Sequence, residues 1–250
     1  QGLRPIVNTS QSVFGAGWSL DGLDRLVDQS SGALLVMGNG DTLFFPKLGS
    51  EFGYAEGDIT YSHLSRQGDG TYLMRNKFGT VSRFSPSGLV TSRSDRNNNT
   101  FTYAYGDQNG DGNASEIVSI TDPYGRVVSF GYTAGKVSSI QHFSGRVVAI
   151  AHVAGNLDQY VLTDPDGTGL LSAPSVKFQY ATQLITRTNS VQEDTKFHFG
   201  SHGRLEMVTY QNSDTWNLRA SETVGLPGTT TTGLLILDEP IATVTDGRGN

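Results

Sequence analysis

Between Phe101 and Leu162 every apolar stretch is cut short by a turn that carries glycine, and this punctuation constrains the fold more than any other feature. Phe101-Thr-Tyr-Ala-Tyr105 alternates aromatics on one face, and Ile117–Ile120 runs into the turn Asp122-Pro-Tyr-Gly-Arg126. Val127–Tyr132 then places Val128, Phe130 and Tyr132 on one face. Ala134-Gly135-Lys136, Phe143-Ser-Gly-Arg146 and Ala154-Gly-Asn156 separate further strands at Val137–Gln141, Val147–Val153 and Leu157–Leu162. Side chains with a period of two, joined by short Gly-bearing connections, define antiparallel hairpins in series. With 31 glycines in 250 residues and 24 aromatics to build a core, a helical bundle is excluded.

A second pattern sits inside the meander. Apolar residues at offsets 0 and +3, with Asp, His or Tyr at +5, occur at Leu23/Leu26/Asp28, Ile117/Ile120/Asp122 and Val137/Ile140/His142. They recur at Leu205/Val208/Tyr210 and Ile241/Val244/Asp246. An i, i+3 spacing breaks strict alternation, so each such strand is expected to bend or carry a bulge. Gly125-Arg126, Gly145-Arg146 and Gly247-Arg248 follow three of the triplets, and Ile117 and Val137 lie 20 residues apart. Repeated units with irregular insertions predict an extended sheet rather than one sandwich, and 20 is far from a propeller-blade period.

The remaining segments are less regular. Met37-Gly-Asn-Gly-Asp-Thr42 holds an Asn-Gly hairpin signal, and Gln67-Gly-Asp-Gly-Thr71 and Lys77-Phe-Gly-Thr80 are further turns. Leu20, Leu23 and Val27 are in phase for a single helical turn. The expected organisation is one fragment of a larger repeat shell over 1–250. It divides into irregular opening strands over 1–100, repeats over 101–210, a loop or insertion over 211–240 and the start of a further repeat over 241–250. Because the chain ends at VTDGRGN, which resembles an internal turn, a longer polypeptide is expected.

Charge narrows the partners. A net charge of −6 with scattered basic residues argues against nucleic acid or an anionic membrane. No apolar run approaches a membrane span, no signal-peptide pattern opens the chain, and zero cysteines excludes disulfides, thiolate catalysis and cysteine-held metals.

The sharpest local constellation is Asp107-Gln-Asn-Gly-Asp-Gly112-Asn-Ala-Ser115. Its D-x-N-x-D-G core puts oxygen ligands at calcium-loop positions 1, 3 and 5 and glycine at 6. The candidate ligands are the side chains of Asp107, Asn109 and Asp111 and the main-chain carbonyl of Asn113, with Glu116 or water completing the shell. Val118 stands where the bidentate acid belongs, so the competing reading is a polar hairpin whose Asp and Asn cap their own turns. The five histidines (63, 142, 152, 198, 202) show no metal spacing. No Ser-His-Asp signature or marked carboxylate pair points to an enzyme, and Gly15-Ala-Gly17 lacks a nucleotide-loop context. Trp18 and the alternating Tyr and Phe read as core.

Phe14-Gly-Ala-Gly-Trp-Ser-Leu20, Gly40-Asp-Thr-Leu-Phe-Phe45, Asp69-Gly-Thr-Tyr72, Phe78-Gly-Thr80, Phe84-Ser-Pro-Ser-Gly-Leu89 and Asp95-Arg-Asn-Asn-Asn-Thr100 occur in that order, before Tyr103-Ala-Tyr-Gly-Asp107 and Asp122-Pro-Tyr-Gly-Arg126. This series resembles the N-terminal part of the YD-repeat shell of Rhs and teneurin-like proteins, over nearly the whole chain to about Tyr210. The sequence departs from the family where Tyr105 is followed by Gly106, where His142-Phe-Ser-Gly-Arg146 lacks Tyr-Asp, and in the degenerate copies after Leu157. Asp122-Pro-Tyr-Gly125 and Asp164-Pro-Asp-Gly167 resemble the family's self-cleavage core only superficially and read as type I turns. The resemblance implies an all-β, spiralling sheet of short antiparallel strands and a non-catalytic structural role in a large secreted or surface bacterial protein. It also implies, as partner, the rest of the same polypeptide or an enclosed C-terminal toxin domain. The alternative is an adhesin-like or carbohydrate-binding module with a glycan or cell-surface ligand.

Overall fold

The structure is a computed structural model, and it describes residues 11–55, 57–163, 173–200, 205–219 and 243–245. These fall into two compact units, Gln11–Leu157 and a second that runs from Asp158 onward. Among the described residues there is no helix; regular structure is entirely strand.

In the first unit a four-stranded sheet comprises β1 (Arg25–Gln29), β2 (Gly32–Val36), β3 (Thr42–Leu48) and β4 (Glu51–Phe52), paired in chain order. A second meander then begins. Its strands are β5 (His63–Arg66), β6 (Tyr72–Arg75), β7 (Val81–Phe84), β8 (Val90–Ser94), β9 (Thr100–Gly106), β10 (Glu116–Thr121), β11 (Val127–Thr133), β12 (Lys136–Gln141) and β13 (Val147–Val153). The second unit holds β15 (Ser175–Ala181), β16 (Leu184–Thr188), β17 (Asp194–Phe199), β18 (Leu205–Tyr210), β19 (Thr215–Arg219) and β20 (Thr243–Thr245), and begins within β14 (Asn156–Leu162). Pairing follows chain order throughout each unit and every pair is antiparallel. The expected all-β meander of short strands is what the chain forms.

Two local devices build it. The first is a turn in which the N–H of residue i+3 returns to the carbonyl of i while the N–H of i donates to the carbonyl of i+4. It opens at Met37, Gln67, Asn76, Ser85, Asp95, Asp122, His142, Asn189 and Tyr210. This is a type I turn closed by a left-handed residue, the G1-bulge hairpin. The i+3 position is Gly125 (φ +79°) in the Asp122 turn, and Asn98, Gln192 and Ser213 take the same conformation elsewhere. Hence the glycine of the Gly125-Arg126 and Gly145-Arg146 pairs: a Cβ is disfavoured there. Asp122, Asp95, Asn76 and Asn189 each reinforce their turn by accepting the N–H groups of residues i+2 and i+4.

The second device is the bulge, which the triplet spacing predicted at Ile117, Val137 and Leu205 but not at Val90, whereas the Leu23/Leu26 triplet carries no slip in β1. Register slips between Ile117 and Ser119, at Val137 opposite Tyr132, between Val90 and Ser92, and at Leu205 opposite Phe199. One extra residue turns offsets 0 and +3 onto the same face. Ile117, Val137 and Val90 are all but fully buried as a result.

Two cores follow from this arrangement within the first unit. Leu26, Leu35, Phe45 and Phe52 of the small sheet meet Leu64, Tyr72, Phe84 and Val90 of the meander. Burying a side chain such as Phe45 or Phe84 contributes about 1.5–3 kcal/mol each. The second core gathers Phe14, Ile117, Phe130 and Val137, with Trp18 packed against it. The Phe14-Gly-Ala-Gly-Trp element supplies the plug: Phe14 meets Phe130 edge-on at 6.4 Å, and Val13 and Ala16 bond the backbone at Val137 and Gly155.

Two expectations are corrected. Leu20–Val27 is not a helical turn: only Leu23 N–H returns to Leu20, and β1 starts at Arg25 because its backbone pairs with β2. Thr215–Arg219, inside the stretch expected as a loop, is β19, drawn into the ladder by Val208↔Trp216 and Leu218↔Val244. The Gly247-Arg248 pair, Asp164–Gly167 and residues 220–242 lie outside the described residues.

Candidate functional site

The loop from Asp107 to Ser115 joins β9 to β10 and gathers the sequence-predicted ligands in one place. The Asp107 carboxylate accepts the N–H groups of Gly110, Asp111 and Gly112 at 2.7–3.1 Å. Asp111 accepts from Asn113 N–H and from the Asn109 amide, and the Asn113 hydrogen bond first of all holds its carboxyl below the usual range. Glu116, 4% exposed, accepts from Gln108 N–H, the Asn109 side chain and the Ser115 hydroxyl. Asp107, Asn109, Asp111 and Asn113 are therefore brought together, but by donors within the loop. Their arrangement is a hydrogen-bonded hairpin in which Asp and Asn side chains cap their own turns. Among the described residues no cluster of three or more His, Asp or Glu side chains has a metal-holding geometry. His63, His142, His152 and His198 lie on separate elements, and His202 lies outside the described residues.

At the Asp122 turn the Gly-Arg signature acquires a role. Arg126 is bonded to Asp122 through Nε and Nη2 at 2.6 Å, and its guanidinium lies over the rings of Tyr124 (5.3 Å) and Phe143 (4.6 Å). It thus clamps its own turn and stacks on the neighbouring one. Burial opposes ionisation of Asp122, yet the Arg126 and Tyr124 hydrogen bonds outweigh it and keep the carboxyl low.

Two grooves open in the first unit. The larger, about 610 Å³, has buried Asp24, Ser62 and Ser82 among its lining residues. Asp24 is committed to the fold, paired with Arg93 and accepting Gly38 N–H. Nearby, Asp28 accepts the Tyr72 hydroxyl at 2.8 Å with Lys47 and Arg66 at 3.7 and 3.9 Å, another closed structural cluster. The smaller groove, about 350 Å³, lies on β5 and β6 and is lined by Tyr61, His63, Ser65, Leu73, Arg75, Asn76 and Lys77. Sequence reasoning missed it. The aromatics of the chain divide: Phe14, Phe45, Phe52, Tyr72, Phe84, Phe130 and Phe178 are core, while Tyr54, Tyr61, Phe78, Tyr124 and Phe143 stand in solvent.

No family model and no curated protein matches the chain. Among solved structures it is similar to the TcdB2-TccC3-Cdc42 complex, at 11% identity and a TM-score of 0.36 over 89% of this chain and 12% of that one. It is also similar to a porin-like protein from Bacteroides uniformis, at 10% identity and a TM-score of 0.36 over 89% of this chain and 92% of that one.

Proposed function

We propose that this chain is a non-catalytic structural segment of a YD-repeat-type β shell, belonging to a large secreted or surface-attached bacterial protein. Its partner is the rest of the same polypeptide or a C-terminal domain enclosed by the shell. The observation that carries this reading is the repeated unit itself: a buried bulged residue, a 20-residue step from Ile117 to Val137, and a type I turn with glycine before arginine. Such units bury their apolar face only by stacking on one another, which is the behaviour of a wall rather than of a catalytic scaffold. The acids that burial and charge mark out, Asp24, Asp28 and Glu116, are each consumed by structural donors.

The test is limited proteolysis of the full-length protein. A downstream domain that resists protease until the β wall is denatured supports encapsulation; a domain cleaved freely from the intact protein overturns it. Turnover in a hydrolase screen of the 250-residue chain would overturn the non-catalytic part. The second reading, a glycan-binding module, is favoured by the exposed aromatic groove at Tyr61.

A further inference from the structure

Tyr61 holds a left-handed backbone, φ +51°, which a bulky L residue adopts only when its surroundings impose it. Here Asp58 imposes it. Its carboxylate accepts Thr60 N–H, the Thr60 hydroxyl and Ser62 N–H at 2.6–2.7 Å, on both sides of Tyr61, and Lys77 N–H donates to the Thr60 carbonyl. The ring so fixed is not buried: Tyr61 is 64% exposed. The strained turn thus presents most of this residue to solvent instead of to the core.

What surrounds it has one character. The Lys77 ammonium lies 4.9 Å from the Tyr61 ring and 5.1 Å from that of Phe78, itself exposed. Tyr54 packs edge-on against His63, the register partner of Arg75, and lengthens the aromatic surface. Neither Arg75 nor Lys77 has a carboxylate partner among the described residues, in a chain of net charge −6. The Asn76 carbonyl is committed to its own turn, which leaves its NH2 group to donate. Flat aromatic surface, unpaired cations and short polar donors around a 350 Å³ groove match a ligand with a sugar ring, hydroxyls and a carboxylate.

We infer that this groove binds an acidic saccharide, its ring stacked on Tyr61 and its carboxylate held by Arg75 and Lys77. The inference is independent of the shell reading, since a wall segment can carry a surface site or lack one. Single-stranded nucleic acid would also use aromatics and cations, but two basic side chains on an acidic chain supply little of the phosphate neutralisation it needs.

Calorimetry on the 250-residue chain with hexagalacturonic acid tests it, with maltohexaose and a dT10 oligonucleotide as competing arms. Binding of the acidic sugar alone is expected, weakened about ten-fold or more by Arg75→Ala or Lys77→Ala. Tyr61→Gly is the decisive variant: glycine suits φ +51°, so the melting temperature should hold or rise while binding is lost. Phe78→Ala, outside the strained turn, provides a second loss-of-binding arm. No binding of hexagalacturonic acid, equal binding of maltohexaose, preference for dT10, or wild-type affinity in Tyr61→Gly would each overturn the inference and leave the shell reading standing.

Discussion

Tyr132 in β11 donates its hydroxyl to the carbonyl of Ile117 in β10 at 2.7 Å, and Ile117 is the residue at which β10 bulges. A bulge takes a residue out of the ladder, and the tyrosine supplies the donor its carbonyl would otherwise lack. Tyr105 does the same for the bulged Val90, again 15 residues back, at 2.8 Å. The repeat is therefore a bulge and its tyrosine, read as a pair.

Tyr132→Phe and Tyr105→Phe should each destabilise the chain by about 1–2 kcal/mol, the cost of leaving a buried carbonyl unpaired. Thermal or urea unfolding checks this. Burial, first of all, raises both phenol pKa values above the ordinary 10. Stability tied to a raised pKa is full below the unfolded value and is lost as pH rises, so the wild type should weaken above about pH 10 and the double Phe variant less steeply.

The third copy breaks the rule instructively. His152 stands 15 residues after the bulged Val137, where Tyr132 and Tyr105 stand in theirs, and its Nε2 is buried without a partner. Imidazole is shorter than phenol, and here its Nε2 makes no such bond. His152→Tyr should restore the bond and raise stability by roughly 0.5–1.5 kcal/mol. A fall in melting temperature would mean that the pocket around residue 152 has no room for a phenol.

Much of this was legible beforehand, and the reasons are local. The i, i+3 triplets pointed to bulges because side-chain direction in a strand depends only on counting residues, and the short Gly-bearing connections pointed to hairpins because glycine takes the left-handed turn position at least cost. Tyr61 and Arg75 were not legible as a site: they meet through the pairing of β5 with β6 and a strained turn, and neither leaves a periodic trace. Thr215–Arg219 was misread because its few apolar residues make a weak strand until β18 and β20 flank it.

Acid should loosen the turns. Asp58 is held below its ordinary 3.8 because the Thr60 and Ser62 hydrogen bonds outweigh the opposing effect of burial, and Asp95 is lowered first by the Asn99 side chain. For depressed carboxyls the stability is present above the unfolded pKa and lost as pH falls through the folded one. The melting temperature should hold down to about pH 5 and fall below about pH 4. Asp58→Asn should flatten that fall; an unchanged slope would remove Asp58 as a contributor.

The Asp107 loop is expected to be stabilised by its own hydrogen bonds. Asp107→Ala should lower the melting temperature equally in EDTA and in millimolar calcium, since three N–H groups lose one acceptor. A calcium-dependent rise in the wild type that disappears in the variant would instead make Asp107, Asn109, Asp111 and Asn113 ligands of a weak site, of the extracellular affinity class.

Gly15 is where the opening segment is most sensitive to a single atom. It sits at φ +108°, and a Cβ there would lie 2.6 Å from the backbone nitrogen of Leu157. Neither the strain nor the clash can be relieved by a rotamer, because the obstacle is main chain. Gly15→Ala should therefore cost about 2–4 kcal/mol and displace Phe14 from Phe130, exposing the second core. Ala16→Gly, one position on, relieves nothing and should cost well under half as much. Urea unfolding of the two variants, with dye binding to report exposed apolar surface, separates a plug that closes the core from a merely attached strand end. Equal stability of Gly15→Ala and wild type would show that Phe14-Gly-Ala-Gly-Trp18 does not close it.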